Sequence, residues 1–257
     1  MSSFAEARQW FAVQPFVTKW LVVASLVIPV SMQFKLLPVW WLVWDWPSIT
    51  RRFQLWRAIS SCLISAVNFN YLFSLYYRFQ YTYNLETGKF YGRSADLLYF
   101  LLFSTLLINL FNWWTRMAVL WEALNMAIVY LWAQYNKDAI VSFMFGIRFP
   151  AIYLPAVLFA MDALLMMDIY SPIMGIIAGH AYYFLVEVYP QSNPAWRNAM
   201  SAPRWMRSLV PQYKSADAVT GQQGFTVHRP SNPLNASQMA SSEFKPFSGK
   251  SKRVGKD

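Results

Sequence analysis

The sequence predicts an all-α membrane protein with a six-helix transmembrane bundle and a disordered C-terminal tail. Hydrophobic residues make up 56% and charged residues 13% of the 257 residues, which is too apolar for an ordinary soluble domain. Apolar runs of about the length that crosses a bilayer recur up to residue 190, whereas the remainder is rich in Ser, Pro, Gln, Asn and Lys. We therefore divide the chain into a membrane domain, residues 1–190, and a tail, residues 191–257.

The net charge of +10 comes mainly from the tail. Residues 191–257 hold ten Lys and Arg against three Asp and Glu, a local charge of +7. Basic residues next to membrane spans are typical of the cytosolic side, so this charge does not indicate a nucleic-acid partner. Cys62 is the single cysteine, which excludes an internal disulfide and a cysteine-rich zinc site.

The first helix is predicted from about Val17 to Leu37. The residues before it are few and lightly charged, and no small-residue cleavage site follows the apolar run. We interpret this helix as an uncleaved signal anchor, which predicts insertion into the endoplasmic reticulum membrane.

Residues 38–57 depart from the pattern of a membrane span. They contain five tryptophans and three arginines and end in Trp56 and Arg57. Indole rings prefer the headgroup level of a bilayer, and arginines pair with phosphates there. The segment is therefore predicted to lie in the membrane surface, with Trp56 as a wedge and with Arg57 holding either a phosphate or a backbone carbonyl.

The second helix is predicted over about Ile59 to Tyr77, and it has an unusual number of polar side chains for a span, among them Asn68 and Asn70. Hydrogen bonds to neighbouring helices and a watery cavity beside the helix explain these residues equally well. A polar loop, residues 78–94, is predicted to follow.

Three further helices complete the middle of the membrane domain. They are helix three (Ala95 to Phe111), helix four (Ala118 to Gln134) after a tight turn (Asn112 to Met117), and helix five (Ala151 to Met167). Helix four contains Glu122 and helix five contains Asp162. A carboxylate in a span costs about 2.5–3.5 kcal/mol on insertion scales, so we expect both to face the bundle interior or the membrane interface.

The sixth helix, Ile173 to Pro190, carries two glycines and a histidine on one face. Gly175 and Gly179 are four residues apart, and His180 follows directly. Small residues at this spacing let another helix approach closely, which is how membrane helices pack. The residues alone favour a packing role for all three, with His180 turned into the bundle.

An even number of spans places both termini on one side of the membrane. Lys and Arg number ten on the side of the termini and five on the opposite side, which predicts that both termini are cytosolic. The arginines of residues 38–57 are then lumenal, against the charge rule, which suggests a functional role for that segment.

Six short motifs lie along the membrane domain in a distinctive order. They are Gln54-Leu55-Trp56-Arg57, Leu85-Glu86-Thr87-Gly88, Gly92-Arg93-Ser94-Ala95-Asp96, Tyr130-Leu131-Trp132-Ala133-Gln134, Tyr153-Leu154-Pro155, and Gly175 to Phe184. In order and spacing they resemble the motifs of the derlins, the rhomboid-like pseudoproteases of endoplasmic-reticulum-associated degradation, and the resemblance covers roughly residues 5–210. Derlin-like architecture implies a six-helix rhomboid-type bundle with a lateral opening between helices two and five, and it gives Trp56 and Arg57 the place of the family's Trp-Arg motif.

The rhomboid kinship also bears on catalysis. Active rhomboids pair a histidine of helix six with a serine of helix four, but helix four of this sequence contains no serine. His180 therefore has no nucleophile to activate, and we predict a pseudoprotease in which His180 is structural. Glu122, Asp162 and His180 lack the helical spacing of metal ligands, so neither a metal nor another cofactor is predicted.

The tail contains two notable segments. Trp205 and its basic neighbours predict a surface anchor. Near the end, Phe247 to Val254 resembles the motif Phe-Ser-Gly-X-Gly-X-X-Leu, by which derlins hold valosin-containing protein, an AAA ATPase; Phe247 and Gly249 match it, whereas Ser251 and Val254 replace its second glycine and its leucine. The alternative is a basic disordered terminus without a partner.

The resemblance implies a membrane adaptor that helps misfolded lumenal and membrane proteins return to the cytosol for ubiquitin-dependent degradation. Asn68, Asn70 and Asp162 would border the client path, together with Trp56 and Arg57. Expected partners are client proteins, the ATPase, a membrane ubiquitin ligase and the lipid bilayer, and a homo-oligomer is a candidate assembly. The alternatives are an active intramembrane protease and a channel or transporter for small solutes.

Overall fold

The structure, a computed structural model, is predominantly helical and describes residues 8, 11, 13–142, 147–164, 168–193 and 201–212. In chain order its main elements are α1 (Phe16–Gln33), α2 (Trp46–Arg52), α3 (Trp56–Ser60), α4 (Phe69–Thr87), α5 (Ser94–Thr115), α6 (Trp121–Tyr135), β1 (Ile140–Ser142), β2 (Arg148–Pro150), α7 (Leu154–Leu164), α8 (Tyr170–Tyr183), α9 (Tyr189–Ser192) and α10 (Arg204–Leu209). Short 3-10 turns cover Val39–Trp41 and Ala151–Tyr153, and a π turn, Phe184–Val188, joins α8 to α9.

Within the described residues, two helices have the length and hydropathy of a membrane-crossing helix. They are α1, with a mean hydropathy of 1.5, and α5, with a mean hydropathy of 1.7. The helix formed by α7 and the preceding 3-10 turn is apolar but shorter. Helices α6 and α8 have 15 and 14 residues. The described residues therefore form a helical fold with two candidate membrane spans, whereas six spans remain a prediction.

The predicted second helix is wrong by about ten residues. Helix α3 ends at Ser60, and α4 starts only at Phe69 because the Asn68 side chain caps it by accepting a hydrogen bond from the Tyr71 amide at 2.8 Å. Helix α4 then continues to Thr87, through most of the predicted polar loop. Arg78 therefore lies inside a helix and is buried, which leaves nine rather than ten basic residues on the predicted cytosolic side.

The other predicted boundaries differ less. Helix α1 ends four residues before Leu37, in a turn where Lys35 has a positive φ of 57°. Helix α5 spans Ser94–Thr115, close to its prediction. An antiparallel hairpin, in which Val141 pairs with Phe149, was not predicted because each strand has only three residues. The last three residues of the predicted fifth helix, 165–167, lie outside the described part of the chain.

Helix α6 is the centre of the bundle. Eleven of its 15 residues are buried, because α4, α5, α7 and α8 all pack against it. A helix this apolar on all sides is typical of the interior of a helical bundle. Every side chain that lines the cavity described below lies on α4, α6 or α7.

Two carboxylates connect segments that are far apart in the sequence. Glu86 of α4 accepts hydrogen bonds from the amides of Val17 and Thr18, at 3.1 and 2.7 Å, and so caps the start of α1. Asp96 of α5 accepts from the amide of Ala202 at 2.9 Å and lies 3.7 Å from an Arg207 nitrogen. The segment around α10 is thereby fixed to the first turn of α5.

Candidate functional site

A cavity of about 190 Å³ lies between α4, α6 and α7. Its walls combine aromatic and aliphatic side chains with a few polar ones: Phe69, Asn70, Phe73, Ser74, Tyr77, Glu122, Asn125, Met126, Val129, Leu158, Met161 and Asp162. Helices α4 and α7 correspond to the predicted helices two and five, between which the resemblance implies a lateral opening. We call this cavity with its rim the α4–α7 groove.

A small hydrogen-bonded network forms the polar wall of the groove. The Ser74 hydroxyl donates to Glu122 Oε1 at 2.9 Å, and Asn125 Nδ2 lies 3.5 Å from Glu122 Oε2 and 3.4 Å from the Ser74 carbonyl. These contacts hold the Glu122 carboxylate on the groove side of α6. Ser74, a polar residue of the predicted second helix, therefore bonds to a neighbouring helix and also borders a cavity, so the two explanations given for such residues are not exclusive.

Behind this wall lies Arg78, which the sequence-based reasoning missed as a core residue. Its Nε donates to Asn125 Oδ1 at 2.6 Å, Nη1 donates to Ser25 Oγ at 2.8 Å and to the Cys62 carbonyl at 3.2 Å, and Nη2 donates to the Trp121 carbonyl at 3.0 Å. The guanidinium also stacks on the Trp121 ring, 3.6 Å from its centroid. One cation thus links α1, α4, α6 and the segment after α3.

Sequence spacing contains a signal for this burial. Tyr71, Ser74, Arg78 and Leu85 follow one another at intervals of three, four and seven residues, and all are buried on one face of α4. The charge of Arg78 masks that periodicity, because a charged residue after an apolar run is typical of the end of a span.

The opposite wall of the groove contributes Asp162, which is half-buried on α7. Glu122 and Asp162 are the two acidic residues among the described lining residues, and no described Lys, Arg or His lines the cavity. Neither carboxylate forms an ion pair with a described cation. The groove therefore combines apolar side chains with an acidic polar wall that forms no ion pair with a described cation.

The two asparagines of the predicted site occupy different places. Asn70 lines the groove, whereas Asn68 is the residue that caps α4 just outside it. Asn68 therefore contributes to the site indirectly, because its cap determines where α4 and the groove-lining residues begin.

Trp56 and Arg57 lie on α3, apart from the groove. The Arg57 side chain is 6% exposed; its Nη1 donates to the carbonyls of Trp40 and Val43 at 2.7 and 3.0 Å, and its Nε donates to Gln54 Oε1 at 2.6 Å. Of the two roles considered for Arg57, contact with a phosphate or with backbone carbonyls, the structure has the second. Trp56 is 54% exposed, so its indole is accessible for contacts outside the chain.

Gly175 and Gly179 lie where α8 crosses α6. A Cβ atom on Gly175 would overlap the Ala123 carbonyl oxygen, and one on Gly179 would lie 3.0 Å from the Ala127 carbonyl oxygen. The prediction that His180 turns into the bundle is wrong: His180 is exposed on the rim of this contact, where its Nδ1 is 2.7 Å from the Tyr130 hydroxyl. We call the crossing of α8 and α6 at Gly175 and Gly179 the α6–α8 seam.

The remaining site predictions fall on the tail or concern metals. Phe247, Gly249, Ser251 and Val254 lie outside the described residues. Within the described residues, no three His, Cys, Asp or Glu side chains form a group that could hold a metal ion.

Comparison with known proteins identifies relatives over most of the chain. A sequence model of the Der1-like family matches residues 14–204. Derlin-1 of Bos taurus is 34% identical over 228 residues, which cover 87% of this chain and 88% of the relative. Derlin-1 of Caenorhabditis elegans is 33% identical over 214 residues, covering 82% and 86%. A probable derlin-2 homolog of Dictyostelium discoideum is 29% identical over 211 residues, covering 79% and 82%.

Proposed function

The chain belongs to the Der1-like family, and from that membership together with the α4–α7 groove we propose that it is a component of endoplasmic-reticulum-associated degradation. In this role it assists the dislocation of misfolded lumenal and membrane proteins to the cytosol, where the ubiquitin-proteasome system degrades them. The chain resides in the endoplasmic reticulum membrane with six spans and both termini in the cytosol.

The observation that carries the proposal is the composition of the groove. Polar groups of a misfolded segment lack hydrogen-bond partners in hydrocarbon, and each unsatisfied group costs several kcal/mol. The groove offers Asn70, Ser74, Glu122 and Asp162 as partners, while Phe73, Leu158 and other apolar residues surround them. A client segment with polar side chains is therefore more stable beside the groove than in the surrounding lipid.

The charged groups beside the groove support a thinner membrane at this place. Glu122 and Asp162 are costly beside a full hydrocarbon layer, and local thinning of the bilayer lowers that cost. The exposed Trp56 contributes to this thinning at headgroup depth, and Arg57 holds the surface segment in shape by donating hydrogen bonds to three oxygen atoms of that segment.

A proteolytic function is less well supported. The α6 sequence contains no serine, and the His180 ring nitrogen nearest to α6 faces a tyrosine hydroxyl. A tyrosine is not the nucleophile of the Ser-His chemistry that rhomboids use. We therefore propose a pseudoprotease, and no feature of the described residues favours a solute channel over this role.

Extraction of the client requires a source of work, and we assign it to a cytosolic ATPase held by the tail. The support is the match of Phe247 and Gly249 to the motif that binds valosin-containing protein. Titration of a peptide of residues 243–257 with the N-terminal domain of that ATPase tests this step. Binding that tightens on Ser251→Gly is the expected result, and no binding by either peptide removes the motif from the mechanism. A membrane ubiquitin ligase and a second copy of the chain are further expected partners, which affinity purification in mild detergent detects.

The role of the groove in client degradation is tested by a substitution that fills it with a larger side chain. In cells that lack the chain, a misfolded membrane client is degraded slowly, and reintroduced wild-type protein restores its half-life. Leu158→Trp adds bulk to the α7 wall and is expected to restore little of the rate. The matched control is Leu106→Trp, the same change on α5 at a residue that is 68% exposed, and it is expected to restore the full rate. Full rescue by a well-expressed Leu158→Trp protein would contradict the proposal.

A further inference from the structure

We propose that the α4–α7 groove prefers client transmembrane segments that carry a lysine or arginine. This inference rests on the proposed function, because it names the class of client for the same groove. The occupant is a transmembrane helix with a cationic side chain near its middle, as in a membrane-protein subunit that has lost an acidic partner.

The first argument is the charge of the walls. Glu122 on α6 and Asp162 on α7 face one cavity from two sides, and no cation among the described residues lines it. The nearest candidate, Arg78, directs its donors to Asn125, Ser25 and two backbone carbonyls instead of a carboxylate. Arg78 therefore reaches Glu122 only through Asn125, and neither acidic side chain of the cavity forms an ion pair with a described cation.

The second argument is energetic. Acidic and basic side chains are both costly in hydrocarbon, and they pair with one another where they occur inside membranes. A client cation placed between Glu122 and Asp162 lowers the cost for both proteins at once. A client carboxylate would meet two like charges, so the same walls select against acidic segments.

The third argument is size. Pockets that enclose whole small molecules measure roughly 300–1,000 Å³. The cavity of about 190 Å³ is smaller, and it suits one long side chain projecting from a helix that stays at the rim. The apolar rim, which includes Phe73 and Leu158, contacts the aliphatic stem of such a side chain while the charged end reaches the carboxylates.

The test uses three model clients that differ at one central position of the transmembrane segment, which is Lys, Leu or Glu. Their half-lives are measured in cells that carry the wild-type chain or the double variant Glu122→Gln, Asp162→Asn. The double variant is expected to slow degradation of the lysine client on the order of tenfold, which is the scale of two polar contacts between membrane helices, and to change the leucine client less than twofold. Asp138→Asn is the matched control, because it removes a carboxylate that is exposed after α6.

A charge reversal guards against a variant that merely fails to fold. Asp162→Lys is expected to slow the lysine client and to accelerate the glutamate client, and a misfolded protein cannot accelerate either. Equal behaviour of the lysine and leucine clients in both variants overturns the charge preference. If Leu158→Trp still blocks both clients in that case, the groove remains the docking site; if Leu158→Trp blocks neither client, the proposed function of the groove fails as well.

Discussion

Two helices pack against α6 by different chemistry. Helix α8 meets α6 through Gly175 and Gly179, whose missing side chains bring the two backbones together. Helix α4 meets α6 through Arg78, Ser74 and Asn125, which form hydrogen bonds across the interface. The first interface is closely packed, whereas the second leaves the α4–α7 groove open beside it.

The difference shows how one bundle combines a fixed part with an adaptable part. Lipid tails are as apolar as leucine, so membrane helices associate by close packing of small residues or by polar contacts rather than by the hydrophobic effect. Close packing excludes a third segment from the α6–α8 seam. The polar contacts of Ser74 and Arg78 hold α4 in place, while neighbouring residues of α4 line the cavity that we propose accepts a client segment.

The largest effect is expected from Arg78→Met, which removes the polar attachment of α4. The change leaves Asn125 Oδ1, Ser25 Oγ and two carbonyls without their donor in a buried place. Loss of one partner from such a network costs about 3–5 kcal/mol. We expect a large fall in the unfolding temperature of the purified protein in detergent, measured against Arg93→Met, whose side chain is 57% exposed. Equal stability of the two variants would show that α4 is held by apolar packing instead.

The second prediction concerns the α6–α8 seam. Gly175→Ala introduces a Cβ that overlaps the Ala123 carbonyl oxygen and lies 2.9 Å from the Met126 Cβ, so the helices have to separate. Overpacking of this kind costs typically about 1–3 kcal/mol. Gly179→Ala is the internal control, because its nearest contact of 3.0 Å is less severe. The unfolding temperature should fall more for Gly175→Ala than for Gly179→Ala, and the reverse order would contradict the packing shown here.

The two interfaces also differ in how far the sequence predicts them. The four-residue spacing of the glycines is a local pattern, and it predicts close helix packing even when the partner helix is unknown. The placement of α4 is not local, since Arg78 is tolerated in the interior only because Ser25, Cys62 and Asn125 supply acceptors from distant parts of the chain. The second helix was predicted to end at Tyr77, and Arg78 was assigned to the polar loop that follows.

The same contrast holds for the apolar elements and the groove. Helix α5 was predicted to within a few residues because its apolar run is long and bounded by polar residues. Glu122 was expected to face the interior or the interface, but its partner Ser74 and its shared cavity with Asp162 depend on how three helices pack. Periodicity within one helix carries no information about which face of another helix lies opposite.

The third prediction separates Trp56 from Arg57, which the sequence treats as one motif. Arg57→Ala removes donors from Gln54 Oε1 and from two carbonyls of the surface segment, and it is expected to cost about 1–3 kcal/mol of stability. Trp56→Ala changes an exposed indole and should leave the unfolding temperature nearly unchanged while client degradation slows. Thermal unfolding and client half-life are measured for both variants. A Trp56→Ala protein that degrades clients at the normal rate would remove the indole from the mechanism.

The smallest effect is expected at the rim of the α6–α8 seam, where His180 and Tyr130 are 2.7 Å apart and His180 is exposed. Polar contacts between membrane helices average about 0.6 kcal/mol in double-mutant cycles, so His180→Ala, Tyr130→Phe and the double variant should each lower stability by less than about 1 kcal/mol. If His180 contributes through this contact, the double variant loses less stability than the two single variants lose together. The difference between the two losses measures the free energy of the contact. The purified wild-type protein is expected to cleave no transmembrane substrate. Specific cleavage that disappears in His180→Ala would restore the protease interpretation, because a structural contact on the rim of a packed seam has no means of producing it.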